Sequence, residues 1–197
     1  MKYQVQSGWL SGVRRVPSPH CNCRPDSAEV DLLVIHSISL PPGQYGGSYI
    51  DEFFLGHLDI DAHPYFSEIA SLQVSAHLLI DRNGRVTQYV PLSGRAWHAG
   101  QSAFCGRENC NDFSIGIELE GLDTDIFTPA QYESLAEVTL AIMDAYPMID
   151  KSRITGHSDI APGRKLDPGP GFDWPLYFKT LDQLSGDRIP PADNGGR

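Results

Sequence analysis

The sequence predicts an α/β fold, a single domain with a central mixed β-sheet flanked by helices. Three observations carry that reading. A short apolar run, VDLLVI (30–35), ends at His36, while FSIGIELEG (113–121) alternates between apolar and polar residues. Directly after it, TPAQYESLAEVTLAIMDAYP (128–147) carries an apolar stripe at helical spacing, with a start signal and a stop signal. Strand-like and helix-like periods that alternate along one chain are the pattern of a sheet covered by helices.

In chain order, residues 30–35 read as a buried strand that delivers His36 at its end, because a continuous apolar run suits a strand covered on both faces. The loop SLPPGQYGG follows, and SYIDEFFLG (48–56) reads as a short helix with Ser48 as N-cap and Gly56 as stop. VSAHLLI (74–80) and RVTQYV (85–90) flank DRNG, and Asn83-Gly84 marks a β-hairpin. In residues 113–121, Ile115, Ile117 and Leu119 fall on one face, and Ser114, Gly116, Glu118 and Glu120 on the other. The next helix has Thr128 as N-cap, Pro129 in first position and Gln131 completing a capping box. Leu135, Val138, Ile142 and Met143 form its apolar stripe, and Pro147 lies beyond its end. A short strand near RITGH leads into GHSDIAPGRKLDPG (156–169), whose two prolines and three glycines exclude a regular helix or central strand. DWPLYFKTL closes the domain as a helix. The expected domain spans residues 1–183, and 184–197, polar and rich in Pro and Gly, are expected to form a disordered tail.

Composition narrows the function. The chain has 197 residues, enough for one domain with a real core, and a net charge of −10. That charge argues against nucleic acid as the main partner, since phosphate binding needs clustered Lys and Arg. It suits an anionic membrane equally poorly. No apolar run approaches the ~20 residues of a membrane span, and MKYQVQSGWLSGVRRVPSP has no apolar segment behind its positive residues. Cysteines 21, 23, 105 and 110 read as free thiols in a reducing compartment. Cys21 and Cys23 are too close for a zinc knuckle. The expectation is a cytoplasmic, monomeric, freely soluble protein.

Three residues at strand ends and in the kinked loop are candidate metal ligands: His36, His157 and Asp167. Nitrogen and carboxylate donors from distant parts of a chain suit zinc, whose catalytic sites use three protein ligands and keep a position open. Spacing alone leaves satisfied, non-ligating imidazoles as the alternative. Lys165, two residues before Asp167, is placed either to stabilise an oxyanion or simply to meet solvent. Glu118 and Glu120 share a strand face, and either could act as a general base or be a solvated carboxylate. His77 reads as a buried, hydrogen-bonded residue. Trp97 and His98 combine an aromatic face with a polar tip, which suits contact with a sugar or ordinary packing. No G-x-S-x-G elbow, H-E-x-x-H helix or P-loop is present.

Six segments in order then carry a resemblance: GWLSGVRRVPSPHCNCRPD, LLVIHSISLPPGQYGG, VSAHLLIDRNGRVTQYVP, RAWHAG, CNDFSIGIELEG and GHSDIAPGRKLDPGPGFDW. Together they resemble the AmpD-type 1,6-anhydro-N-acetylmuramyl-L-alanine amidases, cytoplasmic zinc enzymes of bacterial cell-wall recycling. The wider family includes phage lysozyme-amidases and peptidoglycan recognition proteins. The resemblance implies one Zn2+ held by His36, His157 and Asp167, with Glu118 as general base and acid and Lys165 as oxyanion stabiliser. It also implies an anhydro-muropeptide substrate, cut between the lactyl group of N-acetylmuramic acid and L-alanine. Asp159 would orient a ligand from behind. For substrate contacts the expectations are Trp97 and His98 at the sugar and Arg107 at a peptide carboxylate. Ser37 stands where relatives often carry Asn after the first ligand, which weakens a contact there. Two other functions fit the same fold: a non-catalytic peptidoglycan-binding module, and an envelope autolysin acting on polymeric wall.

Overall fold

The computed structural model describes residues 2–186. Six strands form one mixed sheet: β1 (Arg14–Arg15), β2 (Leu32–Ile38), β3 (Leu78–Ile80), β4 (Val86–Gln88), β5 (Ser114–Glu120) and β6 (Ile154–Gly156). Their order across the sheet is β6-β2-β5-β3-β4-β1. β6, β2, β5 and β3 run parallel to one another, β3 and β4 form the antiparallel hairpin, and β4 pairs in parallel with β1. Five helices accompany the sheet: α1 (Tyr49–Leu55), α2 (Phe66–Ile69), α3 (Pro129–Ala145), α4 (His157–Ile160) and α5 (Trp174–Gly186). Three two-stranded ribbons, built from residues 5–10, 21–22 with 95–96, and 103–108, decorate the edges.

The alternation in β5 decides which side of the sheet is core and which is site. Ile115, Ile117 and Leu119 join Leu33 and Ile35 of β2 in a cluster packed against Leu135, Val138 and Ile142 of α3 and Tyr177 and Leu181 of α5. Met143, expected within that stripe, is only partly buried at its margin. The opposite face of the same two strands carries Ser114, Gly116, Glu118 and Glu120 beside Leu32, Val34, His36 and Ile38. In a parallel pair, residues in register point to the same face, so the pairing Glu118↔His36 sets those two side chains next to each other.

Several boundaries differ from expectation. β2 does not stop at Ile35: pairing with β5 continues to Ile38, so His36 lies inside a strand rather than at its end. The segment 74–77 is not a regular strand, although His77 N still donates to Gly116 O at 3.1 Å. Ser48 has no side-chain bond to the backbone of α1 and instead donates to Glu52 Oε1 at 2.6 Å. The closing helix runs to Gly186, three residues into the segment expected to be a tail, and residues 187–197 lie outside the described residues. The four cysteines are free.

Candidate metal centre

Three elements converge on one point. β2 supplies His36, the turn α4 supplies His157, and the loop after α4 supplies Asp167. The loop is folded back on itself: Ser158 N donates to Asp167 O at 2.9 Å, and Arg164 reaches the carbonyls of Ala99 and Gln101, each at 2.6 Å. Asp159 Oδ2 accepts from Gly156 N at 3.0 Å and from Thr155 Oγ1 at 2.9 Å. It therefore anchors the start of the turn that carries His157 rather than touching a ligand ring.

His36 Nδ1 lies 2.9 Å from His157 Nδ1, and each lies 3.0 Å from Asp167 Oδ2. Both histidines are buried. Among the described residues, these three form the cluster able to hold a metal ion. Ring protons cannot satisfy all three contacts, because each would need its own N–H. His157 has a partner for its other nitrogen, with Nε2 3.0 Å from the Ala99 carbonyl oxygen. A carbonyl only accepts, so a neutral His157 carries its proton on Nε2 and presents a lone pair at Nδ1. Two imidazole nitrogens and a carboxylate oxygen aimed at one point are a donor set that fits zinc.

Glu118 stands beside this cluster and lines the adjoining cavity. Its Oε2 is buried without a hydrogen-bond partner among the described residues. Burial pushes its carboxyl well above the ordinary range, the charge of Asp167 adds to that, and Lys165 opposes it. Glu120 is placed quite differently: its Oε1 accepts from Gly46 N at 2.5 Å and its Oε2 from Arg82 N at 3.1 Å. Lys165 is exposed at the cavity rim. Burial lowers His36 to about 4, despite the opposing contact with Asp167. Burial also lowers His98 well below its ordinary value, and the neighbouring His36, His77, His157 and Arg24 oppose a further positive charge there.

The cavity measures about 460 Å³. Its lining includes the polar residues Ser37, Glu118, Asp123 and Lys165 and the apolar residues Phe53, Tyr65, Ile69, Leu72 and Val74. Trp97 lies in the wall, its Nε1 donating to Asn22 Oδ1 at 2.8 Å and its ring stacked on His20. His98 also lies in the wall, but both its nitrogens are engaged: Nδ1 is 2.8 Å from His36 Nε2, and Nε2 is 3.1 Å from Ser114 Oγ. The expectation of a sugar contact at His98 thus meets a ring already committed to its neighbours. Arg107 lies elsewhere. Its guanidinium pairs with Asp31 Oδ2 at 2.6 Å and stacks on Phe113 at 3.8 Å, on the ribbon 103–108 and not in the cavity wall. The arginine that does line the cavity is Arg164, which the sequence reading passed over inside the kinked loop. The apolar lining between residues 53 and 74 was also missed, since that stretch carried only the expectations of a helix to Gly56 and a strand from Val74.

The profile of the N-acetylmuramoyl-L-alanine amidase family matches residues 26–170. The 1,6-anhydro-N-acetylmuramyl-L-alanine amidase AmpD of Escherichia coli (strain K12) is 62% identical over 177 residues, covering 90% of this chain and 96% of that protein. A crystal structure of a Se-Met AmpD derivative superposes with a TM-score of 0.88 at 58% identity, covering 90% of this chain and 98% of that one. The amidase AmiD of E. coli, solved with the substrate anhydro-N-acetylmuramic acid-L-Ala-D-gamma-Glu-L-Lys, superposes with a TM-score of 0.56 at 31% identity, covering 90% of this chain and 65% of that one.

Proposed function

The chain belongs to the N-acetylmuramoyl-L-alanine amidase family, and we propose that it is a zinc-dependent amidase acting in cytoplasmic peptidoglycan recycling. Its substrate is a soluble 1,6-anhydro-muropeptide, and the bond cut joins the lactyl carbonyl of N-acetylmuramic acid to L-alanine. The observation that carries this reading is the convergence of His36 Nδ1, His157 Nδ1 and Asp167 Oδ2, with an unpartnered Glu118 oxygen beside them. The names of the relatives at 57–62% identity supply the anhydro sugar.

His36, His157 and Asp167 would hold one zinc ion, which supplies Lewis-acid polarisation of the carbonyl and an acidified water. Glu118 takes a proton from the attacking water and returns it to the leaving nitrogen of alanine. Burial raises its carboxyl above the ordinary carboxylate range, which eases its return of the proton to the leaving nitrogen. Lys165 at the rim donates to the oxygen that gains charge as the carbonyl carbon becomes tetrahedral. The apolar lining receives uncharged parts of the substrate and keeps water from the leaving group.

The deciding experiment incubates zinc-replete protein with anhydro-muropeptide and, in parallel, with intact sacculi, and reads both by mass spectrometry. Free stem peptide from the soluble substrate, with sacculi left uncut, is the expected result. Cleavage of sacculi instead would identify a wall-remodelling enzyme. No cleavage of either, with zinc bound, would leave a peptidoglycan-binding module.

A further inference from the structure

A donor count through the cavity wall leads from a serine to the metal-facing face of His36. Ser114 Oγ lies 2.6 Å from the Cys110 carbonyl oxygen, which can only accept, so the hydroxyl proton points there. Towards His98 Nε2, 3.1 Å away, Ser114 Oγ is therefore an acceptor, and His98 carries its proton on Nε2. The other nitrogen of a neutral His98 ring, Nδ1, is then a lone pair 2.8 Å from His36 Nε2, which must donate to it. With the His36 proton on Nε2, Nδ1 presents a bare lone pair to His157 Nδ1 and Asp167 Oδ2.

We propose that His98 is a positioning residue, which holds His36 in the Nε2–H tautomer through the chain Ser114–His98–His36 and so keeps its Nδ1 open for a metal ion. This rests on the metal-site reading above. Without the chain, the His36 proton could move to Nδ1 and bond to Asp167 Oδ2, which would close the site of the metal-free protein with an internal hydrogen bond. His157 gets the same tautomer from the Ala99 carbonyl. His36 sits in a strand whose neighbouring carbonyls are engaged in pairing with β5 and β6, and uses a side chain instead.

The surroundings hold His98 to this task. A Cβ at Gly116 would come within 2.5 Å of the His98 ring, so the ring lies directly on β5 where no side chain intervenes. Asn111 Oδ1 accepts from His98 N at 3.0 Å and from Ala99 N at 2.8 Å, which ties the backbone of both tautomer-setting residues to one amide. The His98 ring meets His36 edge-on at 87°, with centroids 4.9 Å apart.

The test uses metal-free wild type, His98→Phe, His98→Asn and Ser114→Ala. Zinc affinity is read by competition with a chromophoric chelator, the Co2+-loaded forms by visible spectroscopy, and the metal-free fold by thermal unfolding. His98→Phe is expected to bind zinc about 10–100-fold more weakly, the usual cost of losing a group that orients a metal ligand. His98→Asn places Oδ1 where Nδ1 stood and restores most of the affinity, and Ser114→Ala falls between the two. Two results overturn the proposal: His98→Phe binding zinc as tightly as wild type while KM alone changes, or His98→Asn binding as weakly as His98→Phe. Should His98→Phe fail to fold, the Asn and Ser114 variants decide by the same readouts. Wild type that binds no zinc would overturn the metal-site reading itself, a result distinct from either.

Discussion

Glu118 and Glu120 sit two residues apart on one face of β5 and meet opposite surroundings. Glu120 holds the backbone of the loop at Gly46 and of the hairpin at Arg82 with its two oxygens, whereas Glu118 leaves a buried oxygen free beside the histidines. Glu118→Ala is therefore expected to keep its zinc and lose turnover by about 10²–10⁴-fold, the range for a lost general base. Glu120→Ala is expected to lose about 1–3 kcal/mol of stability, because two part-buried backbone N–H groups lose a charged acceptor, and to keep its zinc. Denaturant unfolding, zinc content and turnover of the two variants check this. Turnover lost in Glu120→Ala with an unchanged melt, and kept in Glu118→Ala, would reverse the assignment. The two-residue period of a strand reveals the shared face but not the partners, which come from residues 46 and 82. Arg107 shows the same limit, since its partner Asp31 is distant in sequence and no local pattern announces the pair. That His36, His157 and Asp167 belong to one candidate metal centre was an expectation carried by six segments read together, because a lone histidine after an apolar run has many uses.

At the scale of elements, the α3 cap and the hairpin turn follow from local signals, whereas strand ends set by pairing do not. α3 begins where its cap residues require: Gln131 N donates to Thr128 Oγ1 at 3.1 Å, and Thr128 N donates to Gln131 Oε1 at 3.0 Å. The same two side chains reach outward, with Thr128 Oγ1 donating to Arg82 O at 2.9 Å and Gln131 Nε2 to Glu120 O at 2.9 Å. The cap thus fastens the helix to the hairpin and to the end of the strand that bears Glu118. Thr128→Ala is expected to cost about 0.5–2 kcal/mol, and Thr128→Ser to recover most of it; urea unfolding at neutral pH measures both. An alanine variant with no loss would mean that water replaces the hydroxyl at no cost. The hairpin turn was equally legible, because Gly84 adopts φ +76 and a Cβ there would meet Ala130 O at 2.6 Å. In contrast, β2 overruns its expected end through seven residues of parallel pairing with β5. β1 is two residues long and exists only because β4 lies beside it. Nothing in the composition of either segment encodes that neighbour.

For the molecule as a whole, the face of the sheet away from α3 buries three histidines whose protonation the fold opposes. Burial lowers His36 to about 4 and holds His77 and His98 well below their ordinary range. His77 is the one of the three farthest from the donor triangle in hydrogen-bond terms: its Nδ1 accepts from Gly116 N at 3.0 Å, and its Nε2 faces the Gly94 carbonyl at 3.2 Å. In the unfolded chain each histidine titrates near ~6.5. Above that pH both states are neutral, and these groups add no pH dependence. Below it the unfolded state takes up protons that the native state refuses, so stability falls as the pH falls, until the native groups themselves titrate. Each such histidine contributes a slope of about 1.4 kcal/mol per pH unit once the unfolded form is fully protonated. His77→Asn removes one of them while its Oδ1 stands where Nδ1 accepted the Gly116 N–H. Urea unfolding of metal-free wild type and His77→Asn between pH 7 and pH 5 is expected to give a shallower loss for the variant, by about that slope, whatever its stability at pH 7. Parallel curves would mean that native His77 takes up its proton as readily as the unfolded chain does. Two contacts argue against that: a second proton would fall on Nδ1, against the Gly116 N–H, and the ring's charge would stand beside the Arg24 guanidinium, whose Nη2 lies 3.1 Å from Nε2.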